Sequence, residues 1–278
     1  MRVTWLSDLH LDFLDERKRR RFADQVATQA ADAVVISGDI ADGWSVIPML
    51  TLLATRSERP VYFVLGNHDF YHRGIDAVRT AVRSEVRAAV RGTSLVYLPD
   101  AEVVQLGPGL ALVGHDGWAD GRNGAYTGSA FQPNDFVHIH DFQVFAGGYG
   151  REAQRLRLMQ QLADEAAAHF ARVLPCAAEA NAQVIAVTHV PPFAGASHYR
   201  GQPSDPEMLP FYSNRCVGDV MREVMARHPA CQLTVLAGHT HATTRFTAAS
   251  NVQVRTAPAT YGRPRVAKML IADAQGVR

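Results

Sequence analysis

Cysteine is scarce in this chain. Its 278 residues contain three, Cys176, Cys216 and Cys231, widely spaced and without a C-x-x-C pair. An odd, scattered set argues against a disulfide framework and suits a reducing compartment. Neither sign of charge is in excess: 28 Lys plus Arg against 27 Asp plus Glu leave a formal net charge of +1. That balance removes any global attraction to nucleic acid or anionic membrane, so affinity for phosphate has to be local. No apolar run approaches the roughly 20 residues that cross a bilayer. The opening Met-Arg-Val-Thr-Trp-Leu-Ser-Asp enters a strand directly, without the apolar stretch of a secretion signal. We therefore expect a cytoplasmic protein with no membrane partner. The Ala- and Arg-rich composition points to a bacterial source. Internal repeats, low-complexity tracts and linkers are also missing, which argues for one domain over 1–278. Oligomeric state leaves no mark in the sequence.

What is present is an alternation of short β-branched runs with helical patterns. Val3–Leu6, Ala33–Ser37 and Val61–Leu65 read as strands, and Glu16–Ala31, Trp44–Thr55 and Ile75–Val90 as helices. This is the signature of βαβ units, whose ligands sit beyond the carboxyl ends of the strands. Ser94–Leu98, Glu102–Leu106 and Leu110–Gly114 then form a meander broken by Pro99-Asp100 and Gly107-Pro108-Gly109. Residues 115–150 are Gly-, aromatic- and His-rich without periodicity, and 191–213 are irregular as well. Between them the spacing predicts a helix over Arg151–Val173 and a strand over Gln183–Thr188. A helix at Arg215–Arg227 and strands at Gln232–Ala237, Thr243–Thr247, Val252–Thr256 and Val266–Ala272 close the chain. We expect two facing sheets with helices outside.

Five strings follow predicted strands: Ser7-Asp8-Leu9-His10, Gly38-Asp39, Gly66-Asn67-His68-Asp69, Thr188-His189 and Gly238-His239-Thr240-His241. Any one alone reads as a turn, a helix cap or a hydrogen-bonded histidine. Together they supply the oxygen and nitrogen donors that Mn, Fe or Zn accept. Asp8 and His10 flank Leu9, so on an extended segment both face one way; His239 and His241 repeat that spacing. One carboxylate, Asp39, has two oxygens with which to bridge two ions, and Asn67 adds a neutral carbonyl oxygen. Such a pair of ions acidifies a bridging water toward hydroxide, which implies metal-assisted hydrolysis. His68, beside Asn67, can reach a substrate as an acid, or can cap the helix after Phe70. Asp42 and Asp69 read as groups that orient donors or cap helices.

These motifs, Asp8/His10, Gly38-Asp39-Ile40-Ala41-Asp42, Gly66-Asn67-His68-Asp69, His189 and Gly238-His239-Thr240-His241, resemble those of the calcineurin-like metallophosphoesterase superfamily over nearly the whole chain. The resemblance implies an α/β fold: a four-layer αββα sandwich of two mixed β-sheets flanked by helices, with a dinuclear metal site at the strand C-terminal ends. It implies one metal on Asp8, His10, Asp39 and His241, and a second on Asp39, Asn67, His189 and His239. By the same motifs His68 would contact the phosphate and protonate the leaving oxygen, while a metal-bridging hydroxide attacks phosphorus. The cofactors expected are two divalent or trivalent ions, Mn²⁺ first, with Fe or Zn as alternatives.

Substrate signals are thinner. A phosphodiester or phosphomonoester of small size is the expected partner. Gly-Asn-His-Asp departs from the Gly-Asn-His-Glu of the protein phosphatases and the Gly-Asn-Arg-Asp of the lipid A pathway pyrophosphatases. His115 and Asp116, at a predicted strand end, are candidate substrate contacts; the alternative is an ordinary surface loop. Arg200, in His198-Tyr199-Arg200, is a candidate phosphate donor, as is the Tyr261-Gly262-Arg263 segment. A nuclease would want a basic groove, and the one basic run, Arg17-Lys18-Arg19-Arg20-Arg21, reads as a solvated helix face. A non-catalytic scaffold would have no need of so full a donor set.

Overall fold

The β-branched runs do form strands, and in the computed structural model they gather into two sheets. The structure describes residues 1–88, 95–145, 150–273 and 276–278. In chain order the strands are β1 (Arg2–Leu6), β2 (Ala33–Ser37), β3 (Val61–Val64), β4 (Leu95–Tyr97), β5 (Val104–Gly107), β6 (Leu110–Gly114), β7 (Gln183–Val187), β8 (His198–Tyr199), β9 (Gln202–Pro203), β10 (Gln232–Ala237), β11 (Thr244–Ala249), β12 (Val252–Thr256), β13 (Lys268–Asp273) and β14 (Gly276–Val277). The helices are α1 (Glu16–Ala27), α2 (Val46–Ser57), α3 (Ile75–Ala88), α4 (Asp135–His138), α5 (His140–Gln143), α6 (Arg151–Ala180), α7 (Leu209–Tyr212) and α8 (Arg215–Arg227).

Among the described residues the first sheet runs β14-β13-β1-β2-β3-β4 and the second β11-β12-β10-β7-β6-β5. Strands β1 to β4 are mutually parallel, as are β6, β7, β10 and β12, so their carboxyl ends emerge together. Alternation along each strand divides the core. Val34 and Ile36 of β2 face α1 and α2, whereas Val35 joins Val3, Trp5, Leu112, Ile185 and Leu236 between the sheets. Val184 and Ala186 of β7 turn instead toward α6 and α8. Helices thus cover both outer faces, giving the four-layer αββα sandwich expected from the resemblance.

Local chemistry explains most boundaries. Asp15 caps α1 by accepting from the Lys18 N–H at 2.8 Å. Helix α6 extends seven residues past the expected end at Val173 and carries Pro175 inside it. A proline costs a helix roughly 3 kcal/mol. The apolar stripe nevertheless continues through Leu174, Ala177 and Ala178, all buried against the second sheet, and that burial outweighs the break. The expected ends at Val90 and Ser94 lie outside the described residues. No helix among the described residues is long and apolar enough to cross a membrane.

Candidate metal centre

Five strands, β1, β2 and β3 of one sheet and β7 and β10 of the other, deliver their motifs to a single edge. The backbone there is unusual. Asp8, His10, Asp39, His239 and His241 all have positive φ, between 44° and 69°. Asp and His tolerate the left-handed region better than most residues, at a cost on the order of 1 kcal/mol each. This corrects the reading of D-x-H and H-x-H as extended segments: the paired side chains converge because two left-handed residues flank one spacer. Hydrogen bonds from Asp8 N to Gly38 O (3.0 Å), His10 N to Asp39 O (3.0 Å) and His239 N to Asp8 Oδ1 (2.8 Å) hold the turns. Gly66 permits the close approach: a Cβ there would stand 2.2 Å from Asp39 Oδ1.

The donors fall into two sets that share Asp39. Its Oδ2 lies 3.7 Å from His10 Nε2, which is 3.0 Å from His241 Nε2. The His241 nitrogen is 3.5 Å from Asp8 Oδ1, and the donor atoms of these four residues all fall within 4.8 Å of one another. The other oxygen, Asp39 Oδ1, is 3.3 Å from His189 Nε2. Asn67 Oδ1 then sits 3.0 Å from both His189 Nε2 and His239 Nδ1. The structure thus brings all seven sequence-predicted donors together.

Surrounding groups aim each donor. A carbonyl can only accept, so Ser37 O takes the Nδ1–H of His189 at 2.9 Å and leaves Nε2 facing Asp39 Oδ1 and Asn67 Oδ1. Phe211 O does the same for His239 through Nε2–H at 2.8 Å, freeing Nδ1. Asp135 accepts from Asn67 Nδ2 at 2.7 Å, which turns the Asn67 oxygen toward the imidazoles. Tyr71 Oη donates to the same carboxylate at 2.9 Å. Asp69 accepts from the N–H groups of Ile40, Ala41 and Gly66 at 2.8–2.9 Å and so ties the Asp39 turn to the Asn67 turn. Asp42 accepts from Ser45 N ahead of α2.

The electrostatics call for cations. Burial pushes the Asp39 carboxyl up, but His189, His68 and His10 outweigh it and hold the group well below the usual carboxylate range. Burial also works against charge on His189, yet Asp39 and Asp8 push its pKa up to about 10. Burial takes His10 the other way, down to about 3. Buried carboxylates therefore demand positive charge, which the His189 imidazolium meets here and a metal ion would meet in its place. Divalent ions fit that demand and that donor set.

The edge opens onto a cleft of about 400 Å³. His68 lines it, its backbone N–H donating to Asp39 Oδ1 at 2.9 Å. Its ring stacks on Tyr71 with centroids 4.1 Å apart, and its Nε2 lies 3.3 Å from Tyr261 Oη. The helix-capping alternative for His68 has no matching bond. Sequence reasoning missed Tyr71, Tyr212 and the role of Asp135. Tyr71 lies four residues beyond Asn67, a one-turn spacing that could have flagged it. Asp135 and Tyr212 come from irregular segments, where no spacing signal exists.

The expected substrate contacts fare differently. His115 and Asp116 are buried, and neither lines the cleft. Asp116 accepts from Leu65 N (2.8 Å), Tyr97 Oη (2.5 Å) and Arg79 Nε (3.2 Å), while its carbonyl accepts from His189 N (2.9 Å). It braces two donor turns from below, so its placement as a substrate contact is corrected: both carboxylate oxygens are spent on protein donors. His115 Nε2 pairs with Glu165 at 3.8 Å. Arg200 is exposed at the tip of the β8–β9 ribbon with its guanidinium 5.2 Å from the Tyr199 ring; Tyr199 lines the cleft and Arg200 does not. In the basic run, Arg19 bonds the carbonyls of Leu11 and Asp12, and Arg20 pairs with Glu16. Within 115–150, residues 131–135 reach the cleft, and 146–149 lie outside the described residues.

A family model described as calcineurin-like phosphoesterase matches residues 1–243. No curated protein sequence matches the chain. Among solved structures, the phosphopantetheinyl hydrolase of Mycobacterium tuberculosis is similar with a TM-score of 0.66 at 13% identity, covering 98% of this chain and 96% of that one. A dimetal phosphatase of Danio rerio gives 0.57 at 15% identity, covering 95% and 89%. Such identities carry the fold alone.

Proposed function

The chain belongs to the calcineurin-like phosphoesterase family, and from that premise we propose that it hydrolyses phosphoester bonds using two bound metal ions. One observation carries the reading: the two oxygens of Asp39 face two separate sets of nitrogen and oxygen donors on the floor of an open cleft. We assign Asp8, His10, Asp39 and His241 to one ion and Asp39, Asn67, His189 and His239 to the other. The mixed nitrogen and oxygen set suits Mn²⁺, with Fe or Zn as alternatives. When bound, such ions would supply Lewis acidity toward phosphoryl oxygens and lower the pKa of coordinated water.

The chain's own residues do the rest. Ser37 O, Phe211 O and Asp135 fix which lone pairs face the ions, so no reorientation is needed when substrate arrives. His68 stands over the Asp39 edge, held between Tyr71 and Tyr261, and delivers a proton to the leaving oxygen. The test is release of p-nitrophenol from aryl phosphomonoester and phosphodiester substrates, each with Mn²⁺ and with chelator. Metal-dependent turnover of either supports the reading. A fully metal-loaded protein that cleaves neither contradicts it and leaves a metal-binding scaffold.

A further inference from the structure

We propose that the cleft beside the metal donors is a subsite for a nucleobase, and that the substrate is a small phosphodiester carrying one. The inference rests on the hydrolytic reading above and narrows it. Two independent observations carry it. The first is charge. Among the described residues no lysine or arginine lines the cleft. A phosphomonoester brings close to two negative charges at neutral pH, and a diester brings one. A cleft without Lys or Arg suits the diester. It suits a nucleic-acid backbone poorly, since successive phosphates there are met by Lys and Arg. The volume of about 400 Å³ likewise fits one small molecule.

The second observation is the wall. Phe131, Tyr199 and Tyr212 line the cleft, with the Tyr212 ring 5.7 Å from Phe131 and 6.3 Å from Tyr199. Tyr212 is also 5.0 Å from the His239 ring, so the wall begins one ring away from a metal donor. Tyr199 is 38% exposed and holds the Arg200 guanidinium 5.2 Å from its ring centroid, so a planar partner would stack on the ring from the cleft side. Gln132 and Asn134 line the same cleft, and Asn134 makes no capping bond to the helix it precedes. Aromatic rings in a cleft that also carries side-chain amides match a heterocyclic base, with stacking on its face and hydrogen bonds on its edge. A bare aryl or alkyl group would use the rings alone.

The experiment uses Mn²⁺-loaded protein and three substrates followed by chromatography: adenosine 5′-(methyl phosphate), the same diester with hydrogen in place of the base, and adenosine 5′-monophosphate. The base should raise kcat/KM by at least roughly tenfold over the abasic diester, and the monoester should be the slower nucleotide. Tyr199→Ala and Tyr212→Ala should each bring the base-to-abasic ratio toward one, while Tyr212→Phe, which keeps the ring, should preserve it. The ratio is read within each variant, so partial loss of folded protein does not affect it. Equal rates with and without the base, faster cleavage of the monoester, or a ratio that survives both alanine variants would overturn the inference. Failure of all three substrates while aryl esters are cleaved overturns the subsite and spares the hydrolytic reading. Failure of the aryl esters too removes both.

Discussion

The donor edge and the aromatic wall line one cleft and are built in contrasting ways. The donors Asp8, Asp39, Asn67, His189 and His239 stand on turns that leave parallel strands of both sheets, cross-tied by Asp69 and Asp116. Of the wall residues, Tyr199 comes from a two-strand ribbon, Tyr212 from a single helical turn and Phe131 from an irregular loop. Rigid strands meet the tight distance tolerance of metal coordination, while loops supply a surface that can vary without disturbing it. Chemistry and specificity are thus mounted on different parts of the fold.

Damage to the edge should therefore abolish activity, whereas damage farther out should only tune it. Asp39→Asn leaves the shape but removes the shared carboxylate charge, and activity should fall by roughly a thousandfold, measured as kcat/KM on an aryl diester. His68→Ala should lower kcat by roughly a hundredfold for alkyl leaving groups and much less for p-nitrophenol, with metal content unchanged. A uniform loss across leaving groups would remove His68 from the acid role. Asp135→Ala frees the Asn67 amide to rotate, and metal affinity should drop by roughly tenfold, read by competition with a chelating dye.

The smallest effect lies in the brace beneath the edge. The His115 imidazole at 3.8 Å and the Arg79 guanidinium at 3.0 Å overcome partial burial and hold Glu165 down to about 2. Its folded pKa is depressed, so its stabilisation is present above the ordinary value near 4.5 and is lost as pH falls toward 2. Because Glu165 is 48% exposed, solvent screening limits this to under about 1 kcal/mol. Glu165→Gln should flatten the acid limb of the stability curve by that amount in denaturant titrations.

The same contrast explains what could be read from sequence. The donors were legible because coordination demands rare residue types at short spacings after apolar runs, as in Asp8-Leu9-His10. The left-handed turns that aim them were not, since positive φ at Asp8 or His239 depends on hydrogen bonds from another strand. His115 and Asp116 looked like cleft residues because they too follow a parallel strand, but the first sheet covers that strand end and turns it into a brace. Asp135 and Tyr212 meet the donors through tertiary packing alone, which leaves no periodic trace.

Metal stoichiometry tests the shared role of Asp39 most directly. Wild-type protein and Asp39→Asn would be dialysed against limiting Mn²⁺ and counted by elemental analysis beside a circular-dichroism check of folding. Two ions per wild-type chain are expected, with joint loss of tight binding and activity in folded Asp39→Asn. Two tightly held ions and retained activity in that variant would contradict it.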